Sequence, residues 1–467
     1  MNNVYTQDIN GWKYISISGS PKERGYMYGK ICSGDFKDIQ KMLDYFILET
    51  YGYTWPHMVE KINKSISSKI KDNYREFYDE MVGIADGCNS QGTKTSISEI
   101  IAWNFYMSIS YWYSTINKNS SRKEGGSGDK CSAFIAVGDY TQNGDIVVGH
   151  NSFTEFIDGQ YLNVILDLTP TKGARFIMQT APCWIWSGSD FFVTSYGIIG
   201  TETTIGGFMP YENNIPIFCR IRHAMQYGKT LDDYVDILID NNSGDYANSW
   251  LFGDINTNEI LRLELGLKFT NTERTKNGYF IGFNSTYDPR IRNFECANSG
   301  FYDIRRHQGA RRVRLNDLIE KYKGKLNINV AKNMISDHYD VYLNKDNPCS
   351  RTVCSHYELD KREFMSQSDR PVPYSPRGAV DGIVCDSALA RNMSFVAKYG
   401  SSCDIAFECE KFCNKHRQWI HLKPYLKDRP AQPWTTFTIN DSGKTKTSEN
   451  KTIKNKKGNK HNKTYKK

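Results

Sequence analysis

Apolar positions recur at helical spacing through the first quarter of the chain, then switch to strand-like alternation. Residues 1 to about 118 read as mostly helical. The segment SGSPKERGYMYGK, with Gly19, Pro21, Glu23, Gly25 and Gly29, opens a helix that runs on through FKDIQKMLDYFILETYG. A second helix is expected in KINKSISSKIKDNYREFYDEMVGIADGC, where Ile70, Tyr74, Phe77, Met81 and Ile84 follow helical spacing. A third begins after Ser96, a suitable N-cap before ISEIIAWNFYMSIS. The stretch that follows, NKNSSRKEGGSGDK over 117–130, is polar, glycine-rich and without periodicity, and reads as a loop.

Beyond that loop the pattern is β. CSAFIAVGDYTQNGDIVVGHNSF predicts two strands around Asn143-Gly144, the strongest short hairpin signal. YLNVILDLTPTKGARFIMQTAP and WLFGDINTNEILRLELGLKF repeat the device. In the latter, Leu261, Leu263 and Leu265 share one face while Arg262 and Glu264 take the other. Helical patterns lie between and after the strands, in IPIFCRIRHAMQYGKTLDDYVDILI, ARRVRLNDLIEKYKG and NVAKNMISDHY. GAVDGIVCDSALARNMSFVAKYG returns to the sheet. Helices followed by many antiparallel strands with helices set among them predict an α+β fold with layered sheets. No internal linker interrupts residues 131 to 430, so one large domain is expected.

Composition narrows the class. Of 467 residues, 39% are hydrophobic and 24% charged, which excludes a disordered or fibrous chain. No apolar run reaches the roughly 18 residues that span a bilayer; Ile100 to Tyr113 comes nearest and is broken by Asn104, Ser108 and Ser110. No transmembrane segment is expected. The first residues lack the basic start and apolar stretch of a secretory signal, so a cytoplasmic location is the expectation. The net charge of +8 resides in residues 441–467, where ten lysines face only Asp441 and Glu449. That tail is expected to be disordered. It offers either weak contact with a polyanion such as nucleic acid or simple solubility. The twelve cysteines lack the CxxC pairs of a strong zinc site, so buried thiols or one or two disulfides are expected and no metal.

The junction Lys130-Cys131 carries the chemistry. A cysteine placed directly after a flexible segment and first in an apolar strand suits self-cleavage. Its thiol can attack the preceding carbonyl, and hydrolysis then leaves Cys131 as a new N-terminus. The freed α-amine has a pKa of about 7.7–8.0 and can act as general base for its own thiol. A buried structural cysteine is the alternative on position alone.

CSAFIAVGDYTQNGDIVVGHNSF resembles the start of the catalytic chain in N-terminal-nucleophile hydrolases of the cysteine type, in particular phospholipase B-like proteins and penicillin acyltransferase-type cysteine peptidases. EMVGIADGCNSQG in the leading part, and YGIIGTETTIGG, WLFGDINTNEILRLELG, FNSTYDPR and NPCSRTVC after it, come in the same order as in that group. The resemblance implies a four-layer αββα sandwich, cut into a leading helical chain (1–130) and a catalytic chain (131–440) that stay associated, followed by the tail (441–467). It implies a lipid or small-molecule acyl substrate, attacked at an ester or amide through a Cys131 thioester, with no cofactor. It implies roles residue by residue. His150 and Asn151 close the strand beside Cys131, where His150 would orient or polarise the nucleophile. Thr203 in TETTIGG would supply an oxyanion contact, unless it is only a β-branched strand residue. Asn284 in GFNSTYDP would donate to the oxyanion, or be a turn asparagine. The basic run Arg305, Arg306, His307, Arg311, Arg312 and Arg314 reads as a solvated helix face or a contact for an acidic head group. Trp184, Trp186 and Phe191 fit an acyl pocket or the core equally well. An inactive scaffold whose tail binds a polyanion is the reading from another class.

Overall fold

A β-hairpin rather than a helix opens the computed structural model, which describes residues 4–116, 130–188, 190–297, 300–363 and 372–440. Strands β1 (Val4–Ile9) and β2 (Trp12–Gly19) turn at Asn10-Gly11, both with positive φ, as a tight two-residue hairpin requires. Helix α1 (Pro21–Tyr51) follows, with Pro21 in its first turn and the Glu23 carboxylate accepting the Ser20 amide at 3.1 Å. It stops at Gly52 in the left-handed region. The second expected helix is two, α2 (Trp55–Asn73) and α3 (Arg75–Ser90), because Tyr74 leaves helical geometry between them. Ser96 caps α4 (Ile97–Asn104) by accepting from the Glu99 amide at 3.1 Å, and α5 (Ile109–Ile116) ends the leading segment. Residues 117–129 of the expected loop lie outside the described residues, as does the tail.

The predicted hairpins are present. Strands β3 (Cys131–Gly138) and β4 (Gly144–Glu155) turn through Gly144, and a short α6 (Phe156–Gly159) leads to β5 (Val164–Pro170) and β6 (Phe176–Thr180). Then come β7 (Phe191–Thr194), β8 (Ile198–Thr204), α7 (Ile217–Tyr227), α8 (Leu231–Ile239), β9 (Asn248–Asp254), β10 (Glu259–Leu265), β11 (Thr270–Thr275) and β12 (Gly278–Gly282). The C-terminal part holds α9 (His307–Lys321), α10 (Ile328–Ile335), the two-residue pair β13 (Tyr339–Asp340) and β14 (Lys345–Asp346), β15 (Arg377–Ala379), β16 (Asp381–Asp386), α11 (Ser387–Arg391), β17 (Ser394–Tyr399), α12 (Cys409–Lys415) and β18 (Thr435–Thr438).

These strands make a nine-stranded sheet in the order β1-β2-β5-β6-β7-β8-β9-β10-β11 and a seven-stranded sheet in the order β12-β3-β4-β16-β17-β18, with β15 also on β4. The fold is thus α+β. β2 runs parallel to β5, from Lys13 opposite Val164 to Gly19 opposite Pro170, so the leading segment contributes strands as well as helices. Three apolar clusters fill the spaces. Ile39, Met81, Ile101 and Phe218 of the helices meet Leu166, Met178, Phe252 and Leu263 on one face of the large sheet. Its other face, through Ile165, Ile177, Val193 and Leu251, meets Ala133, Ile135, Val148 and Phe395 of the second sheet. Phe134, Val147, Val384 and Val396, on the far face of that second sheet, pack against Leu315 and Leu318 of α9 and Met334 and Ile335 of α10.

The leading helices are locked by close approach. Gly25 and Gly29 of α1 face Gly83 and Gly87 of α3, and a Cβ at any of the four would run into the opposite helix's backbone. Beside this seam Glu80 accepts from Arg24 at 2.8 Å and from Arg222 at 3.1 Å, all three side chains being buried. All twelve cysteines are free thiols.

Candidate active site

Cys131 is the first residue of β3 and buried. Strand alternation points it, with Ala133 and Ile135, into the layer between the two sheets. Its thiol donates to Asp190 Oδ2 at 3.4 Å, and the Tyr246 hydroxyl donates to the same oxygen at 3.1 Å. His150 lies opposite Ala133 in the β3–β4 register, diagonal to Cys131 on the same face. Ligand atoms of Cys131, His150 and Asp190 all fall within 4.8 Å of one another, an arrangement that also has the chemistry of a metal site. The expected meeting of Cys131 and His150 is therefore present. Asn151 is not part of it. One residue further along β4, it points to the opposite face and donates to the Ile335 and Val353 carbonyls at 2.5 and 3.3 Å.

Asn284 follows β12 in the left-handed conformation that asparagine tolerates. Its Oδ1 accepts from the Cys131 amide at 3.3 Å and from Arg311 Nη2 at 2.9 Å, while its Nδ2 donates to the Thr204 carbonyl at 2.7 Å. Both partners of the oxygen are pure donors, so the orientation of the amide is fixed. Asn284 thus holds the Cys131 nitrogen with its oxygen. Its N–H group is aimed at Thr204. Thr203 lies in the inter-sheet layer two positions from Thr201, against Gly282 of β12.

Arg311 departs from its sequence reading as part of a solvated helix face or head-group contact. It is fully buried and donates to the Cys131 carbonyl at 2.6 Å and to Ser132 Oγ at 3.2 Å, besides Asn284. Arg306 and His307 of the same run are buried as well, whereas Arg305 is exposed and pairs with Asp303, and Arg314 pairs with Asp337. Trp184 and Trp186 belong to the core between helices and large sheet, though Trp186 sits edge-on to Tyr246 at 5.9 Å. Phe191 is in the inter-sheet core.

The electrostatics follow from burial. Burial raises the Cys131 thiol well above its ordinary range, and the charges of Asp190, Glu202 and Asp381 push the same way. Burial lifts the Asp190 carboxyl to about 7, although Glu202, Tyr246 and Cys131 act against the rise. Glu202 is also pushed well up, by burial first and then by Asp190. Burial depresses the His150 imidazole to about 3 and keeps it neutral. The Lys130 carbonyl accepts from the Phe153 amide, and the Lys130 amine lies 5.8 Å from the Tyr246 ring centre. Asp190, Tyr246 and Asn284 all adopt positive φ, a strain that clusters at functional sites.

A family model described as Phospholipase B matches residues 26–262, just over half of the chain. The chain belongs to the phospholipase B family. The match takes in Cys131, His150, Asp190, Glu202, Thr203 and Tyr246, and ends before Asn284 and Arg311. An uncharacterized protein of Archaeoglobus fulgidus is 25% identical over 246 residues, 50% of this chain and 40% of that protein. Putative phospholipase B-like 2 of Bos taurus is 28% identical over 159 residues, 30% of this chain and 26% of that protein. The protein of that name from Rattus norvegicus is 28% identical over 158 residues. The chain thus spans well under half the length of these relatives.

Sequence reasoning missed Asp190, Glu202 and Tyr246. Asp190 lies directly before β7, and nothing in its spacing points to Cys131. The contact exists because β7 and β3 lie in facing sheets.

Proposed function

We propose that this phospholipase B family member is a self-cleaving N-terminal cysteine hydrolase that removes acyl groups from lipid esters. The observation that carries the reading is the Cys131 thiol, first in its strand, donating to a buried carboxyl whose pKa lies near 7. The three stacked cores, helix on sheet, sheet on sheet and sheet on helix, support the four-layer αββα arrangement of that enzyme class.

In the first reaction the Cys131 thiol passes its proton to Asp190 as sulfur attacks the Lys130 carbonyl carbon. The Phe153 amide, already on that carbonyl oxygen, stabilises the negative charge that develops there. The Lys130–Cys131 C–N bond breaks, the proton moves to the Cys131 nitrogen, and a thioester links Lys130 to the sulfur. Water then releases the Lys130 carboxylate and leaves Cys131 with a free amine. Asn284 Oδ1, which accepts from the amide nitrogen in the uncut chain, is placed to accept from that amine.

In the second reaction the amine takes the thiol proton and the sulfur attacks a substrate ester. The alcohol leaves with that proton, and water resolves the acyl thioester to a fatty acid. The names of the phospholipase B-like relatives favour lipid esters over small amides. β2 hydrogen-bonds along β5, which supports the two pieces staying together after the cut.

The test is intact mass with N-terminal sequencing of the purified chain beside Cys131→Ala. Cleavage before Cys131 divides the 53.7 kDa chain into pieces of about 15 and 39 kDa with CSAFIA as the new N-terminus, and the variant stays whole. The cut protein is then offered lysophospholipids and acyl amides. An uncut wild-type chain that releases no acyl group overturns the proposal.

A further inference from the structure

A second cluster of metal-binding side chains lies behind β4, on the face away from the Cys131 thiol. It is assembled from three separate stretches of sequence: His338 just before β13, Cys354 and His356 in the loop that precedes β15, and Cys403 just after β17. One ligand atom from each lies within 4.8 Å of all the others. His356 Nε2 is 3.2 Å from Cys403 Sγ and 3.4 Å from Cys354 Sγ, and the His338 and His356 rings are 5.0 Å apart between centres. Tetrahedral zinc bonds of about 2.3 Å to sulfur and about 2.0–2.1 Å to nitrogen place S and N roughly 3.6 Å apart. The observed separations are within a few tenths of that value.

The surroundings fit as well. His356 Nδ1 is 2.7 Å from Glu358 Oε1, the carboxylate partner that fixes a ligating imidazole with its other nitrogen toward the metal. His338 Nε2 is buried and has no hydrogen-bond partner among the described residues. Ser402 Oγ donates to Cys354 Sγ at 3.4 Å and to the Ile335 carbonyl at 2.8 Å, which ties one ligand loop to the end of α10.

We infer that His338, Cys354, His356 and Cys403 form a closed structural Zn(II) site. Two thiolates and two imidazoles in tetrahedral array are the donor set of zinc, and four protein ligands leave no position for substrate. Binding releases the two thiol protons to solvent and forms two Zn–S and two Zn–N bonds, with no change of oxidation state. The ion would join three segments that no β-ladder holds together. Asn151 donates to Ile335 and Val353 in those same segments, so the site braces the back of the strand that presents His150. This inference does not depend on self-cleavage or on the substrate.

The experiment is elemental analysis of the full chain, purified under reducing conditions after growth with zinc and passed through metal-free buffer. One zinc per chain is expected. Cys403→Ser and His338→Ala should each lose it, while the Cys409→Ser/Cys413→Ser double variant should retain it. Exchange of Co(II) into the wild-type protein separates loss of metal from loss of fold. Thiolate charge-transfer absorption with tetrahedral visible bands is expected. Less than stoichiometric zinc after reconstitution of the reduced wild-type chain overturns the inference. So does a Co(II) spectrum without thiolate bands, or a Cys354–Cys403 disulfide in freshly isolated, unreduced protein.

Discussion

Replacing Asp190 with Asn tests whether the carboxylate 3.4 Å from the Cys131 sulfur is the base for self-cleavage. The change keeps the size and the Tyr246 contact but removes the proton acceptor. Two effects oppose each other. Loss of a positioned general base costs about 10²- to 10⁴-fold, or roughly 3–5 kcal/mol of barrier. Removing the negative charge also makes the thiol more acidic. At 3.4 Å and an effective dielectric near 20, that relief is roughly 5 kcal/mol. The two are of similar size, but the relief acts only once the proton has left the sulfur, and burial, the first cause of the raised thiol pKa, is untouched by Asn. Loss of the base therefore dominates, and cleavage should slow by at least a hundredfold.

The assay follows appearance of the 39 kDa piece on gels, against wild type and Cys131→Ala. The wild-type pH profile is a second reading. A carboxyl raised to about 7 is protonated below that value and unable to accept, so the rate should climb with pH up to about 7 and then level. The same shift sets a stability trend. The folded form holds a proton that the unfolded carboxyl loses above about 4, so Asp190 favours the fold at acid pH and that contribution is lost as pH rises toward 7. Wild-type cleavage rates from Asp190→Asn, or a rate that falls between pH 5 and 7, would refute the reasoning.

Arg311→Lys keeps the charge but cannot reach the Cys131 carbonyl and Asn284 together. It should slow self-cleavage at least tenfold while circular dichroism stays native. Glu80→Ala leaves two buried guanidinium groups without their shared carboxylate and should cost about 3–5 kcal/mol in urea unfolding. Gly29→Ala drives a methyl group into the Ile84 carbonyl, which backbone cannot evade. The α1–α3 seam should lose about 1–3 kcal/mol by the same measurement, even though alanine favours the helix.

What the sequence disclosed was local. The Asn143-Gly144 hairpin sets β3 against β4, and its register alone brings His150 diagonal to Cys131. The same register explains why Asn151 was misplaced. Neighbours in a strand point to opposite faces, so only one member of the His150-Asn151 pair can reach the thiol. The opening hairpin was equally available, since DINGWKY carries the same Asn-Gly turn. Its pattern is weak because β1 is a half-exposed edge strand whose middle, Thr6-Gln7-Asp8, is polar without alternation.

Arg311 and Asp190 are a different case. An arginine in ARRVRLNDLIEK is indistinguishable by pattern from its neighbours Arg312 and Arg314, and solvent is the usual place for such a run. Arg311 is buried because α9 packs over the second sheet at the point where β3 begins and β12 ends. Two acceptors are waiting there, the Cys131 carbonyl and Asn284 Oδ1. Asp190 becomes a partner of Cys131 only because two sheets, separated in sequence order, stack face to face. Periodicity reports which face of an element is buried, and motif order points to Cys131. The groups that contact Cys131 come from the packing of layers, at sequence separations of 59 and 180 residues, where neither signal reaches.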